Sequence, residues 1–456
     1  MVDYRTKSFW LGSAPYEPSP PLAGDIAVDV AIVGGGFTGL SAALHLRQAE
    51  ALDVAVLESE VIGFGASGRN GGFAMTLFGL TMSLTGLRFG KEKAREAHHY
   101  MERAVDYVGE LVERYSIESE YERNGFLRVA TAPGYVKRIR EEIEQAHALG
   151  IDGIEWLDAD ETAKRVRSPL YLGAWWEPRC ALLNPAKQAW GLKRAGEANG
   201  VRFFENTPAL SIARTGAGLT LRTAHGSVRA KKLVLATNAY SHLIPALRRK
   251  QVPAFTHIVL TEPLSPERLA PIGWQGREGI EDARNLVHYY RLTSEDRLLM
   301  GGGNIGITYG KDMDHDLDAA VFRELEAYIP RVYPSLKGAR ITHRWGGPIS
   351  VPLDMAPAMG FLGDERVVYS LGCMGHGVSL TQLNGRTIAD LILGRQSDLT
   401  SVFFVNRRTL PWPPEPLRLV LGQAIRGYMR AEDAWYERRT PKTTADVTPA
   451  EAPKVR

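Results

Sequence analysis

Between Val28 and Gly39 the chain reads Val-Asp-Val-Ala-Ile-Val-Gly-Gly-Gly-Phe-Thr-Gly, and a carboxylate, Glu58, follows nineteen residues later. Val28 to Val33 is almost continuously apolar, as a strand covered on both faces requires. Leu40, Ala43 and Leu44 then recur at helical spacing, and Asp53-Val-Ala-Val-Leu-Glu58 supplies a second strand. Gly34 permits the tight turn, Gly36 lets backbone approach a pyrophosphate, and Gly39 lets helix and strand pack closely. The helix N-terminus favours negative charge, and Glu58 is placed to accept from a ribose. A glycine turn without a ligand is the competing reading. Strand, helix, second strand and acid in this order favour a dinucleotide.

At 456 residues the chain is long enough for two structural domains, and with 44% hydrophobic and 23% charged residues it is globular. A formal charge of +3 gives no electrostatic case for nucleic acid. The two cysteines, Cys180 and Cys373, exclude a disulfide framework and suggest a reducing cytoplasm. Neither a signal-peptide core at the start nor a membrane-spanning run is present. Residues 12–24 form an irregular lead-in, and Lys91 to Tyr115 reads as a long amphipathic core helix. A third strand, Lys232-Leu-Val-Leu-Ala236, runs into Thr237-Asn238. Gln251 to Glu262, Asn285 to Leu292 and Arg297 to Gly303 are strand-like and turn-rich, which predicts an antiparallel sheet outside the nucleotide fold. After Trp345 the nucleotide-fold character returns, with Arg366 to Leu371 as a strand and a helix carrying Leu380, Leu383, Ile388, Leu391 and Ile392.

Two further glycine-rich signatures follow. Phe64-Gly-Ala-Ser-Gly-Arg-Asn-Gly-Gly-Phe73 lets many backbone N–H groups lie against a ligand. A hydrolase is disfavoured, because a nucleophile elbow needs glycine two places after Ser67, where Arg69 stands. Gly372-Cys-Met-Gly-His-Gly-Val-Ser379 leads into the last of these helices, whose positive end would stabilise the anion of a reduced redox ring. His98 and His99 are adjacent on a helix and share no face for a metal, and no other spacing suggests one.

With these motifs the chain resembles the D-amino-acid-oxidase-like superfamily of FAD-dependent oxidoreductases, and within it the γ-glutamylputrescine oxidoreductase type. The likeness is carried by Gly34 to Gly39 with Glu58, Gly63 to Gly72, Ala236-Thr-Asn-Ala239, Trp345-Gly-Gly, Asp354-Met-Ala-Pro357 and Gly375-His-Gly377. It implies an α/β fold: a Rossmann-like FAD-binding domain of the glutathione-reductase type, interrupted by an antiparallel-sheet (α+β) substrate domain. The expected division is 25–90, 150–245 and 340–400 for FAD, and 91–149 and 246–339 for substrate. Residues 401–440 form a C-terminal docking segment and 441–456 a disordered tail. The implied FAD-binding residues are Gly34, Gly36, Phe37, Thr38, Gly39, Glu58, Ser59, Gly65, Ala66, Ser67, Arg69, Asn70, Gly71, Gly72, Ala209, Thr237, Asn238, Gly347, Gly372, Met374, Gly375, His376, Gly377 and Val378. Relatives with covalent flavin use a histidine near Asn70 or a cysteine near Gly347, so the resemblance implies non-covalent FAD. It also implies that the carboxylate-binding arginine of sarcosine-oxidase-like members is missing near Gly72. Leu299 stands in the register of their oxygen-activating lysine, which predicts slow use of oxygen.

The implied reaction removes a hydride from carbon beside a neutral amine, and the imine is then hydrolysed. Substrates would be primary or secondary amines, either polyamine derivatives or N-substituted amino acids. An α-amino-acid or sarcosine-type dehydrogenase is the alternative within enzymes, and a non-catalytic flavin-binding subunit of a complex is the alternative outside them. His376 is a candidate polar contact to flavin or substrate. Tyr289 and Arg291 share one strand face and Tyr290 takes the other; Tyr290 and Arg291 are the pocket candidates, Arg291 for a remote carboxylate. Trp345 is a candidate wall for an amine, with core packing as the competing role. Electrons would pass to oxygen or to another carrier. The segment from Leu410 to Leu421 is apolar enough to pack on the body or on the partner of a homo-oligomer.

Overall fold

The computed structural model describes residues 3–79, 81–216 and 218–438, so the tail expected at 441–456 lies outside the described residues. Two eight-stranded sheets organise the chain. In the first, parallel strands run in the order Asp364–Leu371, Ser227–Leu235, Ile26–Val33, Val54–Leu57 and Arg202–Phe204, with Ala358–Leu362 antiparallel at one edge. A hairpin arm, Ser211–Thr215 with Gly218–Arg222, pairs antiparallel with Ser227–Leu235. The central strand is buried on both faces, which explains its unbroken apolar run. Helices Phe37–Glu50, Pro185–Ala198 and Gly377–Leu393 pack on this sheet, and Lys91–Arg114 packs on Gly377–Leu393. The first and last of these touch closely: a Cβ on Gly385 would lie 2.5 Å from that of Ser41, and the Ser41 hydroxyl donates to the Gln382 carbonyl at 2.7 Å.

The second sheet runs in the order Ile341–Val351, Val252–Thr261, Leu298–Ile307, His288–Leu292, Gly279–Asp282, Phe126–Val129, Gly173–Glu177 and Glu155–Asp158. All neighbours are antiparallel except Gly279–Asp282 with Phe126–Val129. Helix Ala319–Val332 covers one face over a core containing Val259, Tyr290, Met300 and Leu325. The other face turns toward the glycine-rich loop of residues 63–73.

This topology moves two expected boundaries. Residues 155–158 and 173–177, placed by sequence in the FAD domain, pair into the second sheet, where Trp175 is buried in a cluster with Phe126, Tyr135 and Ile139. Ile341–Val351, expected in the FAD domain after residue 340, is an edge strand of the second sheet along its whole length. The docking segment packs on the body. Trp412 donates to the Val351 carbonyl at 2.9 Å, and helix Leu417–Glu437 lies on the strand Leu298–Ile307. Asp433 fixes that helix by accepting from the Asn285 and Leu286 N–H groups at 2.9 and 3.0 Å and from the Tyr135 hydroxyl at 3.1 Å. Both cysteines are buried thiols. Among the described residues no helix is long and apolar enough to cross a membrane.

The lead-in owes its order to one buried carboxylate. Glu205 accepts from the Tyr16 hydroxyl (2.7 Å), the Ser19 and Ile62 N–H groups (both 2.6 Å) and the Lys193 ammonium (2.9 Å). Truncating it strands a buried lysine charge and two backbone donors. Glu205→Ala is expected to lower unfolding free energy by about 3–5 kcal/mol, measured by denaturant titration.

Candidate active site

The turn at Gly34 is shaped by contacts that leave no room for side chains. Gly34 has φ +112°, and a Cβ there would lie 2.5 Å from the Ala236 carbonyl oxygen. At Gly39 a Cβ would meet the Gly34 oxygen at 2.0 Å. Gly36 begins the helix without a side-chain cap, which leaves first-turn N–H groups such as those of Thr38 and Gly39 for an anion. The Phe37 N–H bonds Ser67 Oγ at 3.0 Å, which ties the turn to the next loop. Glu58 accepts from the Gly35 N–H at 2.7 Å and from Ser59 Oγ and the Glu60 N–H at 3.1 Å. Burial pushes its pKa up, against these three hydrogen bonds. Thr237 Oγ1 bonds Ser241 Oγ at 2.8 Å, and Asn238 follows in the left-handed region with φ +38°. Ala209 lies half-buried against the core on the sheet's other side.

The loop 63–73 is held by its carbonyls, nearly all of which accept a hydrogen bond. The Phe64 oxygen accepts from Arg69 Nε (2.7 Å), and those of Ala66 and Ser67 from Asn70 Nδ2 (3.0 and 3.1 Å). The Gly68 oxygen accepts from Ser8 (2.7 Å), that of Arg69 from Trp345 Nε1 (2.8 Å), and that of Asn70 from Trp10 Nε1 (2.9 Å). The Gly72 oxygen accepts from the Leu183 N–H at 2.9 Å. Gly72 itself has φ +80°, and a Cβ would strike the Leu183 oxygen at 2.1 Å. Arg69 is closed off by Asp316 (2.9 Å) and lies over the Phe64 ring.

Ala66, Arg69, Asn70 and Gly71 form one wall of a cavity of about 310 Å³. Gly347, Met374, Gly375, His376 and Val378 form another. Gly372 bends the chain at φ +86° under Pro352, so that Met374 to Gly377 reach the helix start. The remaining expected cofactor residues, Gly34 to Gly39, Glu58, Ser59, Gly65, Ser67, Gly72, Ala209, Thr237, Asn238, Gly372 and Gly377, do not line this cavity. The Gly34–Gly39 turn, Glu58 and Ser67 are joined to the cavity wall through the loop. A side-chain-free turn, an open helix start and a half-buried carboxylate beside it fit the pyrophosphate and ribose of a dinucleotide.

Three substrate candidates are corrected. Tyr290 faces the opposite side of its sheet, with its hydroxyl 2.9 Å from that of Tyr171 and its ring against Tyr333. Its neighbour Tyr289 lines the cavity instead, packed against Gly71, Gly301 and Phe73. Arg291 shares the Tyr289 face but is sealed beneath the loop, donating to the Leu183 oxygen at 2.8 Å and stacking over Trp10. Burial lowers it to about 10. An arginine thus does stand beside Gly72, with its charge turned away from the cavity. Trp345 is 2% exposed and supports the Arg69 carbonyl rather than lining a pocket. Leu299 is also core, outside the cavity, so its register says nothing about oxygen.

Sequence reading missed the polar end of the cavity, where Arg128, Arg138, Glu281, Arg284, Asn285 and Arg426 line the wall. They come from two sheet strands, two helices and a loop, and no local motif links them. Arg128 bonds Glu142 at 2.6 Å. Arg284 pairs with Asp282, which also binds His288. Arg426 donates to the Ile305 oxygen at 2.9 Å and to Gln423, and forms no ion pair among the described residues. On the same cavity as Arg128, His376 is half-buried, with its Nδ1 enclosed and without a partner. Burial first, and then Arg128, lower it to about 4, so it is neutral at physiological pH.

A family model described as FAD dependent oxidoreductase matches residues 29–391. Gamma-glutamylputrescine oxidoreductase of Escherichia coli (strain K12) is 36% identical over 412 residues, spanning 90% of this chain and 93% of that protein. The probable oxidoreductase OrdL of Haemophilus influenzae is 31% identical, over 84% of this chain and 86% of its own length. Among solved structures, glycine oxidase from Geobacillus kaustophilus has a TM-score of 0.71 at 21% identity, covering 84% of this chain and 99% of that one. This last likeness concerns the fold.

His376 gives a pH signature. Its folded value of about 4 lies below its ordinary 6.5, so only the unfolded chain gains the proton between these limits. Stability contributed by neutral His376 is therefore lost as pH falls through that window. The cofactor-free protein should lose about 1.4 kcal/mol per pH unit there relative to His376→Asn, read from paired denaturant titrations.

Proposed function

Since the chain belongs to the FAD dependent oxidoreductase family, whose model spans residues 29–391, we propose that it oxidises a primary or secondary amine, such as a polyamine derivative, to an imine. The 36% identity to gamma-glutamylputrescine oxidoreductase along nearly the whole of both chains carries this reading. Bound FAD supplies a two-electron oxidant that takes a hydride equivalent from the carbon beside nitrogen. The Gly34–Gly39 turn and Glu58 would hold its adenosine and pyrophosphate part, and the loop 65–72 with residues 372–378 its ring.

The chain's own part is to bind, orient and exclude water. Phe73, Met75, Ile349, Met355 and Met374 give the cavity largely apolar walls, which strengthen every polar contact inside it. The start of helix Gly377–Leu393 places a positive dipole end at the cavity, where negative charge would develop. His376 offers a neutral imidazole there. Hydrolysis of the imine then yields aldehyde or keto acid.

The arrangement favours an amine over an α-amino acid. An α-carboxylate needs a cation near the reacting carbon; the two arginines at the loop, Arg69 and Arg291, are already committed to Asp316 and to backbone carbonyls, and Arg128 is matched by Glu142 at 2.6 Å and faces Glu281 at 4.0 Å. Arg426, the cavity-lining arginine on the C-terminal helix, forms no ion pair among the described residues and is left to meet an acid group carried by the substrate.

Non-covalent attachment is supported by Asn70, whose side chain is used within its own loop, and by Gly347, which has none. Acid precipitation should release all yellow colour into the supernatant. Anaerobic γ-glutamylputrescine should bleach the holoenzyme at least about tenfold faster than glycine or sarcosine at equal concentration, a discrimination of about 1.4 kcal/mol. Equal or faster bleaching by the amino acids would reverse the reading.

A further inference from the structure

We propose that Glu281 receives the reacting nitrogen of the substrate and takes the proton of its ammonium form before the adjacent C–H bond breaks. This rests on the amine-oxidising reading above and adds the proton acceptor that such chemistry needs. An aliphatic amine is overwhelmingly protonated near neutrality, and its nitrogen has no lone pair to form C=N until a proton leaves.

Among the described residues Glu281 is the one carboxylate that lines the cavity. The strand register places it there: Glu281 is cross-strand from Tyr289 on one side and Arg128 on the other, and cross-strand partners share a sheet face. Tyr289 touches Gly71 of the loop, so the carboxylate sits one strand away from the residue that meets the loop wall. Glu281 is 5% exposed, and its side chain accepts no hydrogen bond from any described residue. Its nearest cation is Arg128 Nε at 4.0 Å, an N–H that itself has no hydrogen-bond partner. A buried carboxylate without a hydrogen bond, facing one cation at 4.0 Å, is costly unless something arrives to use it.

The surroundings set its proton affinity. Arg128 is already matched by Glu142 at 2.6 Å, and Glu142 is also 3.5 Å from Arg138, on helix Pro133–Ala148. Asp282, next on the strand, is bound by Arg284 and His288. His376, on the same cavity, is neutral, and Tyr289 remains protonated, its pKa pushed up by burial. Burial raises Glu281 to about 7, with Arg128 opposing and Asp282 and Glu142 adding to the rise. Such a group both accepts and releases a proton near neutrality.

The step balances as follows. R–CH2–NH3⁺ and the Glu281 carboxylate become R–CH2–NH2 and the carboxylic acid. The C–H pair of electrons then leaves as hydride to the oxidised FAD while the nitrogen lone pair closes C=N. The iminium takes up water and splits to aldehyde and ammonium, and Glu281 returns its proton to solvent.

The test is anaerobic flavin reduction by γ-glutamylputrescine from about pH 6 to about pH 10 in wild type and Glu281→Gln. Near pH 7 the variant should reduce about 100-fold more slowly. It should recover toward wild type near pH 10, where substrate arrives already deprotonated. Infrared difference spectra of the protein without substrate should show protonated carboxyl absorption growing as pH falls through 7 from both Glu281 and Glu177, and Glu281→Gln should lose the Glu281 share of it. Glu281→Asp, which keeps the charge beside Arg128, guards against a folding defect and should give an intermediate rate with the same pH recovery. A variant with the wild-type pH profile and only a raised half-saturation concentration would overturn the proposal, making Glu281 a binding group. If no amine reduces wild type, the functional reading falls and this inference with it, whatever the infrared band shows.

Discussion

The site depends on where the carbonyls of one loop point. Between Phe64 and Gly72 almost every carbonyl oxygen is taken, some by Arg69 and Asn70 of the loop itself and the others by outside donors, Ser8, Trp345, Trp10 and the Leu183 N–H. Buried carbonyls must be paired, and these pairings fix the course of the loop, so that Ala66, Asn70 and Gly71 are presented to the cavity. The donors come from the lead-in, from the second sheet and from the neighbourhood of the first. The loop is therefore shaped by both halves of the molecule at once. Trp345 and Arg291 are better understood as this support than as a pocket wall or a carboxylate clamp.

The two sheets divide the remaining work. The first supplies rigid strand ends and two helix starts, at Phe37 and Gly377, which bring fixed dipoles without side chains. The second supplies a surface whose registered pairs, Arg128 with Glu281 and Glu281 with Tyr289, decide which polar groups meet the cavity. Strand Ile341–Val351 belongs to the second sheet yet carries Trp345 into the core of the first, so the halves are joined by packing as well as by chain.

Motifs that act locally were legible in the sequence. The glycine turn, Glu58, the loop 63–73 and the start of helix Gly377–Leu393 each declare themselves within a few residues, because steric exclusion of Cβ is a property of single positions. The strands at 227–235 and 364–371 were legible from their apolar runs. What depends on partners was hidden. Alternation shows that Tyr289 and Tyr290 oppose each other, but their cross-strand neighbours decide which one meets the cavity. Those are Glu281 and Gly301 for Tyr289, and Ile280 and Met300 for Tyr290. Arg128 and Glu281 become neighbours only through a parallel pairing of strands distant in sequence. The boundary errors at 155–177 and 341–351 share this cause.

The C-terminal helix ties the cavity to a part of the chain remote from both glycine loops. Gly422, Ile425, Arg426 and Met429 close part of the cavity, and Asp433 pins them in place. A cut in the segment ahead of Leu417 would leave the glycine turn and both sheets intact while releasing one wall of the chamber. Proteolysis there would therefore separate holding a nucleotide from enclosing a substrate.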